Sequence, residues 1–352
     1  MWNMRKLLII LIVSLFALLA ACSDDASEGP VEEDSDEEAV TDPNESEEGE
    51  NEEPEFTYPL TGLGAYEEPK NRALAVMVNN HNKARPQTGL GNADIVYEYL
   101  AEGKITRLLA IFQSDIPDVV GPVRSAREYY IETAKAHEAI YIYHGAADFI
   151  EEDLRAGWVD NLNGAYYDDD QFLFKRESFR QAPHNSYVML PNAYEIASRN
   201  NIEREVDHES WEFLSDDELV EGETANEVNI TYYDNLKVSY VYDSSSEQYT
   251  RYSDGVKSTD LETEEPIEVS NILIYETEHR VADDQGRRFI DRESGGNGYL
   301  IQKGKVKPIE WRNDNGLMKP YIDGEEAKLV PGKTWINVIP LSPGLEQGVT
   351  FE

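Results

Sequence analysis

The sequence predicts an α/β or α+β N-terminal domain built on a mixed sheet, followed by a smaller all-β domain. Three observations predict this. Short apolar runs alternate with helix-like stretches over 57–204. Strand patterns alone fill 226–343. The stretch between them, 205–225, is acidic, as a link between folded parts would be.

In the first part, "LAVMVNN" from Leu74, "TRLLAIFQSD" from Thr106 and "AIYIYHG" from Ala139 are apolar runs that end in polar residues. Runs of that length suit strands covered on both faces. "SAREYYIETAKAHE" and "PNAYEIASRNN" read as helices. "ADIVYEYLAEG" supports two readings: Ile95, Val96, Tyr97 and Tyr99 favour a strand that turns at Glu102 and Gly103, while its Ala and Glu residues favour helix. In both, a spacing of four puts Asp94, Glu98 and Glu102 on one face. In the second part "VNITYYD", "KVSYVYD", "QYTRYSDG", "SNILIYE", "GYLIQKG", "PIEWRND" and "TWINVIP" are separated by Gly, Asn, Asp and Pro turns. Trp311 and Trp335 read as core residues, with sugar stacking as the alternative. Residues 344–352 read as a C-terminal tail.

The first 21 residues have the form of a secretory leader. Arg5 and Lys6 precede an apolar run from Leu7 to Leu19 that is too short for a permanent span. It ends in "LAAC", which resembles a bacterial lipobox, and this implies diacylglycerol and palmitate on Cys22. With Cys22 the only cysteine, disulfides and thiolate catalysis are excluded from the mature fold. Residues 22–56 read as a disordered acidic tether. Ser23 to Glu55 holds 17 Asp or Glu and no Lys or Arg, with a flexible-chain reach of roughly 30 Å.

The formal charge is −39, and without the leader's two cations and the tether's 17 acids −24 remains on 56–352. A field of that sign disfavours nonspecific binding to nucleic acid, teichoic acid or an anionic lipid surface and leaves anion recognition to a local basic site.

"GPVRSAREYY", from Gly121, offers such a site. Ser125 reads as a helix N-cap, with Glu128 completing a capping box. Arg124 and Arg127 then flank a helix start, where main-chain N–H groups and two guanidinium forks together hold an anion. The competing reading pairs these arginines internally with Asp94, Glu98 or Glu102. Asn79, Asn80 and His81 end one expected strand, Asp115 a second and His144 a third. Were the three parallel, their carboxyl ends would share the edge at which open α/β sheets bind ligands. Arg85, Arg107 and the block holding Arg180, His184 and Asn185 are candidates to join them. A triad of Ser125, His184 and Asp115 stays open, because triads are recognised by geometry rather than spacing.

"LTGL" at Leu60, "ARPQTGL" at Ala84, "NADIVYEYLAEGKITRLLAIF" at Asn92, "GPVRSAREYY", "YHG" at Tyr143, "APHN" at Ala182 and "PGKTWINVIP" near the C-terminus together resemble the YerB family of bacterial lipoproteins. The resemblance covers nearly everything after the tether. It implies a lipid anchor and two domains without an assigned reaction. The order of the strand, arginine loop and "GKITRLLAIFQSD" is also similar to the LytR-CpsA-Psr phosphotransferases, which hold a polyprenyl pyrophosphate with arginines, carboxylates and a metal ion. That similarity implies phosphate contacts at Arg85, Arg124 and Arg127 and a divalent cation near Asp94. Its Pro-Arg-Asp run has no counterpart, since "IFQSDIP" stands in that place.

Three functions follow as expectations. The first is a lipid-anchored extracytoplasmic protein, of the Gram-positive type, that binds an anionic or glycan envelope ligand and needs no cofactor. The second is a phosphotransferase or hydrolase of wall polymers that uses a divalent cation. The third is a scaffold for wall-synthesis proteins. Its partners would be the membrane, through the lipid, and an anionic wall ligand or wall-synthesis proteins, with no nucleic acid.

Overall fold

The structure, a computed structural model, describes residues 53–233 and 236–352. The leader, Cys22 and the tether up to residue 52 lie outside the described residues.

In chain order the principal elements are β1 (Leu74–Asn79), β2 (Ile95–Leu100), β3 (Thr106–Phe112), α1 (Glu128–Ala136), β4 (Ile140–Tyr143), α2 (Asp148–Arg155), β5 (Asn161–Asn163) and α3 (Asn192–Arg199). There follow β6 (Glu227–Tyr233), β7 (Leu236–Asp243), β8 (Gln248–Ser253), β9 (Asn271–Thr277), β10 (Gly296–Gln302), β11 (Lys305–Asp314), β12 (Leu317–Ile322), β13 (Thr334–Pro340), α4 (Gly344–Gly348) and β14 (Val349–Phe351). The N-terminal part is thus a mixed sheet with a few helices, and the C-terminal part is nearly all strands.

Both parts contribute to one 12-stranded sheet, with β12-β11-β10-β9-β13-β2-β3-β1-β4-β5 along its length. β13, from the C-terminal part, lies parallel to both β9 and β2 and joins the two halves. All of its residues are buried, as are all of those in β1, β2 and β3. Burial on both faces is why these strands read as continuous apolar runs instead of alternating ones. It also settles "ADIVYEYL" as strand. Its even positions, such as Val96 and Leu100, enter one core, and Tyr97 and Tyr99 enter the other.

On the first face the antiparallel sheet of β6, β7, β8 and β14 covers the core through Val228, Ile230, Tyr232, Val238 and Tyr240, together with α3. On the second face α1 and α2 pack through Tyr130, Ile131, Ala134, Ile150 and Leu154. Trp311 and Trp335 are completely buried, and their indole N–H groups reach the Glu276 carbonyl and the Glu98 carboxylate. They serve the core and are closed to sugars.

Two segments differ from their sequence reading. The link 205–225 lies against the fold: Trp211 is buried, and Glu223–Thr224 pairs with β11. The tail 344–352 forms α4 and β14, and β14 pairs with β6. Its apolar residues Leu345 and Val349 close the first core, which a sequence reading of nine residues has no periodicity to reveal.

Candidate functional site

Strand direction fixes which residues share an edge. β1, β2, β4 and β5 run the same way, while β3 runs against β1 and β2. The carboxyl ends of β1 and β4 therefore lie beside the start of β3, in register Asn79 with Arg107. This edge gathers Asn79, Asn80, His81, His144, Glu102 and Arg107. Asp115 follows the end of β3, so it lies at the opposite edge, bonded to Asn92 at 2.7 Å. The condition of three parallel strands fails for β3, and with it the triad of Ser125, His184 and Asp115.

The segment 121–125 enters this edge as an irregular strand. Its main chain is pinned from Asn79 N–H to the Pro122 carbonyl (2.8 Å), from Val123 N–H to Ser186 O (2.7 Å), from Arg124 N–H to Met77 O (2.8 Å) and from His144 N–H to Arg124 O (3.0 Å). Gly121 permits the approach, since a Cβ there would come within 2.6 Å of the Tyr187 ring. Gly164 plays the same part for His144, whose Nδ1 would lie 2.7 Å from an added Cβ.

Arg124 is half-buried, and among the described residues its guanidinium makes no hydrogen bond and no ion pair. Burial, with Arg107 adding repulsion, pushes its pKa down to about 10. Its charge reaches three imidazoles, His81, His184 and His144. The His81 and His184 rings stand 4.9 Å apart, centroid to centroid. The His81 N–H donates to Asn79 Oδ1 at 3.0 Å, which turns the Asn79 amide NH2 toward His184 Nδ1 at 2.8 Å. His144 Nδ1 meets Ser186 Oγ at 2.8 Å, and its Nε2 faces Arg176 Nη2 at 3.3 Å. A guanidinium can only donate, so Nε2 accepts and Nδ1–H donates to the serine. The Ser186–His144 pair is therefore the wrong tautomer for a base that activates Ser186.

The other arginines are engaged. Arg107 contacts Glu102 at 2.8 Å and the Ser125 carbonyl at 2.9 Å. Arg127 pairs with the other oxygen of Glu102. Arg85 bonds Asp254 at 2.7 Å and both oxygens of Asn80. Arg180 donates to the carbonyls of Ala84 and Pro86 and to the Tyr187 hydroxyl. For Arg85, Arg107 and Arg127 internal pairing wins over ligand binding. The helix start also differs: α1 begins at Glu128 with Arg127 as its N-cap and without a side-chain cap, so Ser125 and Glu128 form no capping box.

The three expected carboxylates separate. Asp94 precedes β2 at the opposite edge, away from Arg124, where it accepts from Gln113 N–H (2.6 Å), Ser114 N–H (2.9 Å) and Ser114 Oγ. Burial raises its pKa to about 6 against the pull of these bonds. Glu98 is sealed in the first core with Arg251, Trp335, Asn80 and Thr106. Only Glu102 reaches the arginine edge, because β2 ends at Leu100 and the chain turns there. Among the described residues no group of three or more His, Cys, Asp or Glu side chains is arranged to hold a metal ion.

Asn185 accepts from Arg176 at 2.9 Å, and Arg176 is paired in turn with Asp168 at 2.7 Å. Arg176, Asp168 and Ser186 escape sequence reasoning. Nothing local marks them, since Asp168 lies in an acidic run and Arg176 and Ser186 sit on short strands, and only the fold carries them to His144.

Residues 60–203 match a family model described as the N-terminal domain of a protein of unknown function (DUF3048), and residues 228–336 match the corresponding C-terminal domain. The putative lipoprotein YerB of Bacillus subtilis (strain 168) is 44% identical over 286 residues, covering 80% of this chain and 86% of that protein. The crystal structure of the YerB protein from Bacillus subtilis superposes with a TM-score of 0.77 at 42% identity, covering 84% of this chain and 99% of that one. With both domain models matched in order and a relative of this identity spanning most of both chains, the chain belongs to the DUF3048 family.

Proposed function

We propose that this is a lipid-anchored envelope protein, held through Cys22 on the extracytoplasmic side of the membrane. Its N-terminal part binds a phosphate-bearing envelope ligand at Arg124 without transforming it. The "LAAC" sequence and the lipoprotein name of its relative support the anchor. None of the helices among the described residues is long and apolar enough to cross a membrane.

The observation that carries the binding reading is Arg124 itself. In an acidic protein, this half-buried guanidinium has neither a hydrogen bond nor an ion pair among the described residues, and it stands at the edge formed by the carboxyl ends of β1 and β4, beside two imidazoles and the main-chain turn after β1. An arginine kept desolvated and unpaired is costly unless an anion compensates it. The phosphotransferase reading draws no support from this geometry, since Asp94, its metal ligand, faces the opposite edge. The scaffold reading draws on the internal pairs of Glu102 with Arg107 and Arg127.

Calorimetric titration of the full chain in detergent with inorganic phosphate and with glycerophosphoglycerol tests the reading. Binding of at least one probe at millimolar concentration is expected, with at least a tenfold loss in Arg124→Gln, about 1.4 kcal/mol. Wild-type protein that binds neither probe would favour the scaffold.

A further inference from the structure

Resting on the anion-site reading, we propose that the ligand group is a monoanionic phosphodiester, held by Arg124 and by the Nε2–H donors of His81 and His184 without proton uptake.

The argument is a count of donors and charges. His81 Nδ1 accepts the Lys83 N–H at 3.1 Å, and His184 Nδ1 accepts from the Asn79 amide at 2.8 Å. Neither donor can turn acceptor: one is main chain, and the Asn79 amide is fixed by the His81 N–H on its oxygen. Each ring therefore carries its proton on Nε2, and charging it would set an N–H against an N–H. His144 obeys the same rule through Arg176. All three imidazoles are held neutral by an N–H donor, which leaves His81 and His184 as uncharged N–H donors whose Nε2 has no partner among the described residues.

The charged surroundings reinforce this state. His81 faces Lys83, Arg85 and Arg124; His184 faces His81, Arg124, Lys83 and Arg180. His144 faces Arg176 and Arg124, with Asp168 as the only acid. Burial first, and these cations second, hold His81 and His184 below the usual histidine range. Of the cations, Arg85 is paired with Asp254, while Arg180 keeps its charge but has Nη1 and Nη2 bound to the Ala84 and Pro86 carbonyls and the Tyr187 hydroxyl. Lys83 stands exposed to solvent, where its charge is screened. Arg124 is then the one of these arginines whose donors are unengaged among the described residues, and one such cation with two neutral N–H donors suits a single negative charge. A phosphomonoester brings a second, uncompensated, into a chain that is already strongly acidic.

The test compares glycerophosphoglycerol with glycerol phosphate by calorimetry on the full chain, from about pH 5 to 8, in buffers of different ionisation enthalpy. The diester should bind with an affinity that changes less than about twofold and with no proton exchange. The monoester, with a second pKa near 6, should be at least tenfold weaker at the alkaline end and converge on the diester at the acid end. A monoester that binds equally well when dianionic, or uptake of about one proton per site, overturns the proposal while leaving the anion site standing. Failure of both probes removes the site as well. In Asn79→Asp the new carboxylate can accept from a charged His184. Diester affinity should then rise as pH falls through about 6.5, and a flat profile overturns the assigned role of Asn79. Competition by phosphatidylglycerol vesicles assigns the diester to a lipid headgroup, and its absence to a polyol phosphate polymer; either supports the class.

Discussion

Glu98 on β2 and Arg251 on β8 meet at 2.8 Å with side chains 0% and 2% exposed, so a carboxylate of the N-terminal part and a guanidinium of the C-terminal part neutralise each other inside the first core. The Trp335 indole donates to the same carboxylate at 3.0 Å and lies under the guanidinium, 4.4 Å from ring to Cζ. The other carboxylate oxygen takes Asn80 and Thr106. One hydrogen-bonded chain thus runs from the C-terminal sheet to the residue beside His81.

Breaking this pair from one side should be severe, because the partner is left charged in an apolar core. Glu98→Gln is expected to lose about 3 to 5 kcal/mol of stability, measured by denaturant unfolding. A loss under about 1 kcal/mol would mean that water reaches the pair.

Arg124 and Glu102 should behave in opposite ways. Glu102→Gln leaves Arg107 and Arg127 facing each other without a counter-charge and should cost about 3 kcal/mol. Arg124→Gln removes a guanidinium without a partner among the described residues and should leave the unfolding midpoint unchanged or raised. Equal losses in both variants would show Arg124 to be a structural member of the network.

Asp94 should shape the pH dependence of stability. Its folded pKa, about 6, lies above its unfolded value near 3.8, so between these values the folded state binds the extra proton. Stability therefore falls as pH rises from about 4 to 6, by about 3 kcal/mol at most. In Asp94→Asn the amide oxygen keeps the Gln113 and Ser114 N–H donors while its NH2 faces Ser114 Oγ. The slope over that window should vanish, as read from urea midpoints at several pH values; an unchanged slope would assign it to other groups.

The anchor is testable apart from the fold. Cys22→Ser should lose metabolic labelling by a fatty acid, and label that persists in the variant would place the lipid elsewhere.

The sequence by itself determined the order of the parts and the nature of the central strands. β1, β3 and β4 are legible because strands buried on both faces must be apolar throughout, and β6 to β8 because one-sided burial enforces alternation. It also marked Asn79, Asn80, His81 and His144 as polar residues placed where apolar runs stop, and offered beside them Arg85, Arg107, Arg124, Ser125, Arg127, Arg180, His184 and Asn185 with the carboxylates Asp94, Glu98 and Glu102. It left open which arginine was free. Local signals treated Arg124 and Arg127 alike, and a capping box at Ser125 looked as good as any. Only the tertiary structure decided these points, because strand direction and pairing partners are long-range properties. Reversal of β3 sent Asp115 to the far edge and brought Arg107 and Glu102 together. Insertion of β13 beside β2 made Glu98 a core residue instead of a ligand. Arg124 is left over among the described residues, while Glu102 is spent on Arg107 and Arg127, Asp168 on Arg176, and Asp254 on Arg85.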